Sequence, residues 1–219
     1  MAVIHLPPQV VYAAGAPAPK RGAALRALKT REEIWPDAAQ QVWDRKKHKG
    51  FTSVPRTMPY IELLMDSLCK NAPPSAAYRV LWMRGYEEHV LKIENPAMLA
   101  AESGYTGQRA AGTWAQRMRS LVELGFIRAK KGPVSEFQTV LIRNPNLVVM
   151  ELARAGRFRN EAQQVLFDGF KQRAIDIGAK DVLDALELSE KGEGLDAPTS
   201  SPSGATSPAG TGDADATVQ

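Results

Sequence analysis

One cysteine and three histidines are all that this 219-residue chain offers of the residues that most often bind metal or form disulfides. Cys69 alone excludes an internal disulfide and a cysteine-rich zinc site, and His5, His48 and His89 fall at no recognisable metal-ligand spacing. No apolar run approaches the roughly 20 residues that span a bilayer. Pro7 and Pro8 interrupt the apolar start, so neither a membrane helix nor a signal peptide is expected, and the chain reads as cytoplasmic. A phosphate loop, a nucleophile elbow and paired carboxylates flanked by a histidine are missing too, which argues against an enzyme and leaves no cofactor to expect. Aromatics are few, at 7%, and Trp35, Trp43 and Trp82 form no cluster with Tyr or Phe of the kind that stacks single-stranded bases.

What is present suits one core of ordinary size with tails: 44% apolar and 24% charged residues. The formal charge of +4 is unevenly spread. Up to Arg56 the bases, including the run Arg45-Lys-Lys-His-Lys49, outnumber the acids, whereas beyond Ile175 acids face only Lys180 and Lys191. A basic arm suits a polyanion; an acidic tail suits solvation or competition for that arm.

Composition divides the chain into four. Residues 1–50 form a basic arm, loose through Arg21, with helix-capable stretches at Ala23 to Ile34 and Asp37 to Lys47 separated by Pro36. Residues 51–145 hold the compact domain, 146–191 a helical extension, and 192–219 an acidic tail too rich in Ser, Thr, Pro, Gly and Ala to order itself.

Within 51–145 the periodicities fall in a definite order. Ile61, Leu64, Met65 and Leu68 repeat at helical spacing after Pro59. Ser75 caps a second helix lined by Ala77, Val80 and Leu81, and His89 to Glu94 is a short strand. Asn95 followed by Pro96 opens a short helix carrying Met98, Leu99 and Ala101 and stopped at Gly104. A longer helix follows with Ala111, Trp114, Met118, Leu121, Val122 and Gly125 in one stripe, Arg109, Thr113, Gln116 and Ser120 opposite, and Arg117 and Arg119 on the flanks. Phe126 to Arg128 and Phe137 to Arg143 then pair as strands across a basic loop bearing Lys130 and Lys131. The expected class is therefore mainly α with a small antiparallel β-hairpin.

Leu99-Ala-Ala-Glu-Ser-Gly104, followed by Leu121-Val-Glu-Leu-Gly-Phe-Ile127 and the lysine-bearing hairpin, resembles the winged helix-turn-helix superfamily of DNA-binding proteins, and the upstream Phe51-Thr-Ser-Val-Pro55 and Ser75 to Met83 helix are similar to what precedes such domains in bacterial transcription regulators and plasmid or phage replication proteins. The resemblance implies a winged helix-turn-helix core with additional N- and C-terminal helices and a recognition helix that enters a duplex groove. The interval from Gly104 to Gly125 is about one helical turn longer than usual in that superfamily, so two starts compete: Thr106 as N-cap, or Thr113 in a box with Gln116. The candidate DNA contacts are Arg109, Thr113, Gln116, Arg117 and Ser120 on the helix, Arg128 on the strand, and Lys130 and Lys131 at the wing tip. Gln pairs bidentately with adenine and Arg with guanine, while Thr and Ser reach a base edge or phosphate and lysines attract phosphate. Gly112 stands mid-helix at a cost of roughly 1 kcal/mol relative to Ala, which suits close approach of another backbone or a helix start. Trp114 belongs to the core.

Beyond Pro145, Ala162, Val165, Leu166, Gly169, Phe170, Ala174 and Ile177 line one helix face that needs a partner, either the chain's own domain or a second copy; two-fold DNA sites favour a homodimer. The functional expectation is a nucleoid-associated, sequence-specific binder of double-stranded DNA that regulates transcription. The alternatives are a replication-initiation or partition protein of plasmid or phage type, and a non-catalytic interaction adaptor on an inert winged-helix scaffold.

Overall fold

The computed structural model describes residues 20–133 and 135–193. The expected loose stretch up to residue 19 and the acidic tail beyond residue 193 lie outside them. Among the described residues there are eight α-helices and one three-stranded antiparallel sheet, and no helix is long and apolar enough to cross a membrane.

Helix α1 (Lys20–Ile34) is exposed and ends ahead of Pro36, whose ring disfavours helical backbone in the residue before it. The stretch expected to be helical from Asp37 to Lys47 is instead a single 3-10 turn at Ala38–Gln40 followed by tight turns. The cause is local. Asp44 Oδ1 accepts a hydrogen bond from the Lys46 backbone N–H at 2.9 Å, and the Asp44 N–H donates to the His48 ring at 3.1 Å rather than to a carbonyl four residues back. An aspartate that captures nearby N–H groups competes with helix propagation. Arg45 lies over the Phe51 ring at 5.6 Å, and Trp43 packs edge-on to the same ring.

The core starts with α2 (Met58–Leu68), which buries Met58, Ile61, Leu64 and Met65, and α3 (Ser75–Arg84), which buries Ala77, Tyr78 and Leu81. Ser75 does not cap its own helix. Asp66 of α2 does so across the turn, accepting from the Ser75 N–H at 3.0 Å and its hydroxyl at 2.6 Å. Strand β1 (Val90–Lys92) leads to α4 (Pro96–Glu102), α5 (Ala110–Glu123) and the hairpin of β2 (Ile127–Lys130) and β3 (Thr139–Ile142). The sheet order is β1-β3-β2, with Leu91 and Ala129 both opposite Val140. Strand alternation sends Val140 and Ile142 into the core, where Phe126, Trp114 and Tyr78 meet them.

Three further helices follow: α6 (Pro145–Arg154), α7 (Glu161–Ile177) and α8 (Lys180–Glu193). Asn144 caps α6, and Asn160 with Gln163 forms a capping box on α7, so both starts follow from sequence. Gly178 at φ 63° ends α7 in the left-handed region. The apolar face of α7 is covered within the chain over its middle and second half, while Ala162 and Val165 of the expected stripe stay exposed. Phe170 and Ala174 are buried and α7 lies along α2, where Gly169 passes so close to Tyr60 that an added Cβ would stand 2.5 Å from its Cε1. Gly169, Phe170 and Ala174 of the stripe therefore find their partner surface within the chain.

Candidate nucleic-acid interface

Helices α4 and α5 are joined by a loop whose length the sequence left undecided. Asn95 caps α4, its side chain accepting from the Met98 N–H at 3.1 Å. Leu99 and Ala100 face inward, while Met98 and Ala101 are exposed. The helix ends on Gly104 at φ 81°, with the Tyr105 N–H bonded back to the Ala100 carbonyl at 2.9 Å. Gly107, at φ 80°, turns the chain again, and α5 begins at Ala110. Neither Thr106 nor Thr113 is the cap: Arg109 holds that position with no side-chain hydrogen bond, and the Thr113 N–H already bonds the Arg109 carbonyl at 2.8 Å. The extra length goes into a loop, because two left-handed glycines three residues apart do not extend a helix.

Helix α5 buries Trp114, Met118, Ser120 and Leu121. Its core face is thus rotated from the expected stripe. Ala111 and Val122 are exposed, Ser120 is only 9% exposed, and Thr113 and Arg117 are half-buried. The side chain of Ser120 turns to its own helix and to Cys69, whose thiol burial pushes up in pKa. Arg117 folds over the Tyr105 ring at 5.8 Å and donates to Gln116 Oε1 at 3.2 Å. Drawing the stripe through alanine and valine misplaced it. Those residues lose little when exposed, whereas an arginine can lay its apolar stem on the core.

The face that α5 presents to solvent carries Gly112, Gln116, Arg119 and Glu123, which recur every three or four residues. Of the expected contacts, Gln116 lies on this face and Arg109 is exposed at its leading end; Thr113, Arg117 and Ser120 do not reach its centre. Arg119, expected only on a flank, does. Its guanidinium donates to both carboxylate oxygens of Glu136 in the β2–β3 loop, at 3.4 and 2.8 Å, and that carboxylate raises its pKa. Spacing from Gly112 and Gln116 would have revealed Arg119; its tie to the loop would not. A Cβ added to Gly112 meets nothing within 4 Å, so no internal packing accounts for a glycine there.

The hairpin stands beside this face. Arg128 and Lys130 alternate onto the exposed side of the sheet, and Lys131 follows at the turn, also exposed. Among the described residues none of these three cations has an ion pair. The turn is closed by the Gly132 N–H donating to the Ser135 carbonyl at 3.0 Å. Arg143, on the same hairpin, is structural: it donates to the Gly125 carbonyl at 2.9 Å and to Glu151 at 2.6 Å, joining the end of α5 to α6. Trp114 is buried edge-on against Phe137, at 5.9 Å between ring centres.

Comparison with protein-family models, with curated proteins and with solved structures finds no match.

Proposed function

We propose that this chain is a sequence-specific duplex DNA-binding protein of the winged helix-turn-helix kind, with α5 as the helix that enters the major groove and the β2–β3 hairpin as the wing. One observation carries the proposal: Arg119 on the polar outer face of α5 is bonded to the loop of a hairpin whose three exposed cations have no ion pair among the described residues. The succession of α3, β1, α4, α5 and a β1-β3-β2 sheet supports it, because that order sets the hairpin next to α5.

The chemistry is division of labour. Gln116 and Arg119 supply the donor and acceptor patterns that tell adenine and guanine apart, while Arg128, Lys130 and Lys131 neutralise phosphates without regard to sequence. Arg109 and the first-turn amides of α5, which no side chain caps, add donors where a helix dipole favours an anion. Bound at a promoter, such a protein regulates transcription by occupancy.

Selection of duplexes from a randomised pool tests the proposal. A shared motif is expected among the bound molecules, and Gln116→Ala or Arg119→Ala should each remove about 1 to 3 kcal/mol of discrimination against non-cognate duplex. Recovery of no motif, or discrimination unaffected by both substitutions, would refute the groove assignment.

A further inference from the structure

A second basic surface lies on the other side of α5. An open cleft of about 780 Å³ is bounded by the end of α2, the flank of α5 and the α6–α7 turn. Its walls carry Lys70, Arg157 and Arg159, all exposed and none in an ion pair among the described residues, together with the donor Asn71. No carboxylate lines it. Three acids flank it: Asp66, engaged with Ser75; Glu123, close enough to act electrostatically on Cys69; and Glu161, exposed in the first turn of α7 next to the lining Asn160.

Three exposed cations in an acid-free cleft form an anion site, and its position says which anion. Ser120 belongs both to the cleft wall and to α5, on the Gln116 side of the outer face, whereas Arg119 leans the other way, to the hairpin. The exposed strip of α5 is therefore bracketed by Lys70, Arg157 and Arg159 on one side and by Arg128, Lys130 and Lys131 on the other. A helix seated in the major groove has a phosphate strand along each side.

We propose that this cleft is a second phosphate-backbone site, gripping the strand opposite the one held by the hairpin. The inference rests on the duplex-binding function proposed above and deepens it. It gives the α6–α7 turn, outside the three-stranded unit, a part in fixing how the protein sits on the duplex, since phosphate contacts set register without reading sequence. The cleft is shallow and its cations long and flexible, as suits a backbone passing over it.

The test uses the full chain and a labelled mixed-sequence duplex, with binding followed by fluorescence anisotropy over a series of salt concentrations. Each neutralised phosphate contributes about 0.9 to the slope of log affinity against log salt. The triple substitution Lys70→Ala, Arg157→Ala, Arg159→Ala should reduce the slope by about 2 to 3. The double substitution Lys130→Ala, Lys131→Ala should reduce it by up to about 2, and the two effects should add. Arg157→Lys with Arg159→Lys should keep the wild-type slope, which separates lost charge from a damaged fold; thermal melts of each variant provide a second check. An unchanged slope in the triple variant alongside a reduced slope in the hairpin variant overturns the cleft site and leaves duplex binding intact. The cleft is likewise overturned if the triple variant loses only the binding of free pyrophosphate. If the wild-type chain binds no duplex at low salt, both proposals fall together.

Discussion

If α5 enters a groove as proposed, Gly112 is the residue at which stability and binding make opposite demands. It sits in the first turn of α5, on the exposed face, with open space where a side chain would stand. Alanine there should stabilise the protein by about 0.5 to 1 kcal/mol, since it removes backbone freedom from the unfolded chain and adds helix propensity. A rise in melting temperature is expected together with weaker duplex binding, because the added methyl stands where a groove wall would come closest. A fall in melting temperature would mean that something packs on that face. Single residues also show where sequence was readable. Asn95 announced the start of α4, because a cap is made within a few residues of itself; Asn144 and the Asn160-Gln163 pair, not read as caps in the sequence, start α6 and α7 by the same local chemistry. Ser120, Thr113 and Arg117 are less exposed than expected because their burial depends on what α5 meets across space, including Cys69 and Tyr105. Nothing local to α5 encodes those partners.

Pairs of elements are held by a few polar clasps on top of the core. Arg84, at the end of α3, donates from Nε to Glu102 of α4 at 2.6 Å and from Nη2 to the other carboxylate oxygen. These hydrogen bonds, with a smaller Coulombic contribution, lower the Glu102 pKa. A carboxyl with a depressed folded-state pKa stabilises the fold above its unfolded pKa, about 4.3 for Glu, and loses that contribution as pH falls through the lower folded value. Arg84→Ala should therefore melt at a lower temperature than wild type at neutral pH, and the gap should close in acid below the ordinary glutamate range. A gap that persists there would assign the effect to packing of the arginine stem. The clasp is exposed, so the gap should be small. In sequence, the order of α3, β1, α4, α5, β2 and β3 was legible from periodicity and turn residues. The rotation of α5 and the collapse of the Asp37 to Lys47 stretch into turns were not, since one depends on tertiary neighbours and the other on a single aspartate outcompeting the helix.

The molecule as a whole is organised around α2, which contacts α3 on one side and α6 and α7 on another. Where α2, α6 and α8 begin, a small polar network replaces apolar packing. Buried Thr57 donates to Asn146 Oδ1 at 2.7 Å, and Asn146 and Asn144 donate to Asp181 at 3.0 and 2.8 Å. Asn146→Ala strands the Thr57 hydroxyl without an acceptor and should cost about 1 to 3 kcal/mol in chemical denaturation. An unchanged midpoint would mean that the last two helices are only loosely joined to the rest. Sequence predicted that the α7 face needs a cover but left open which surface provides it; α2 covers part of it, where Gly169 admits Tyr60, and Val165 stays exposed.

Lysine acetylation footprinting, with and without a saturating duplex, asks whether the outer face of α5 and the hairpin together form a DNA surface, as proposed. Protection of Lys130 and Lys131, with Lys171 of α7 and Lys180 of α8 still reactive, is the expected result. Protection of Lys171 and Lys180 with Lys130 and Lys131 left reactive, or no protection anywhere on a duplex-saturated protein, would contradict it.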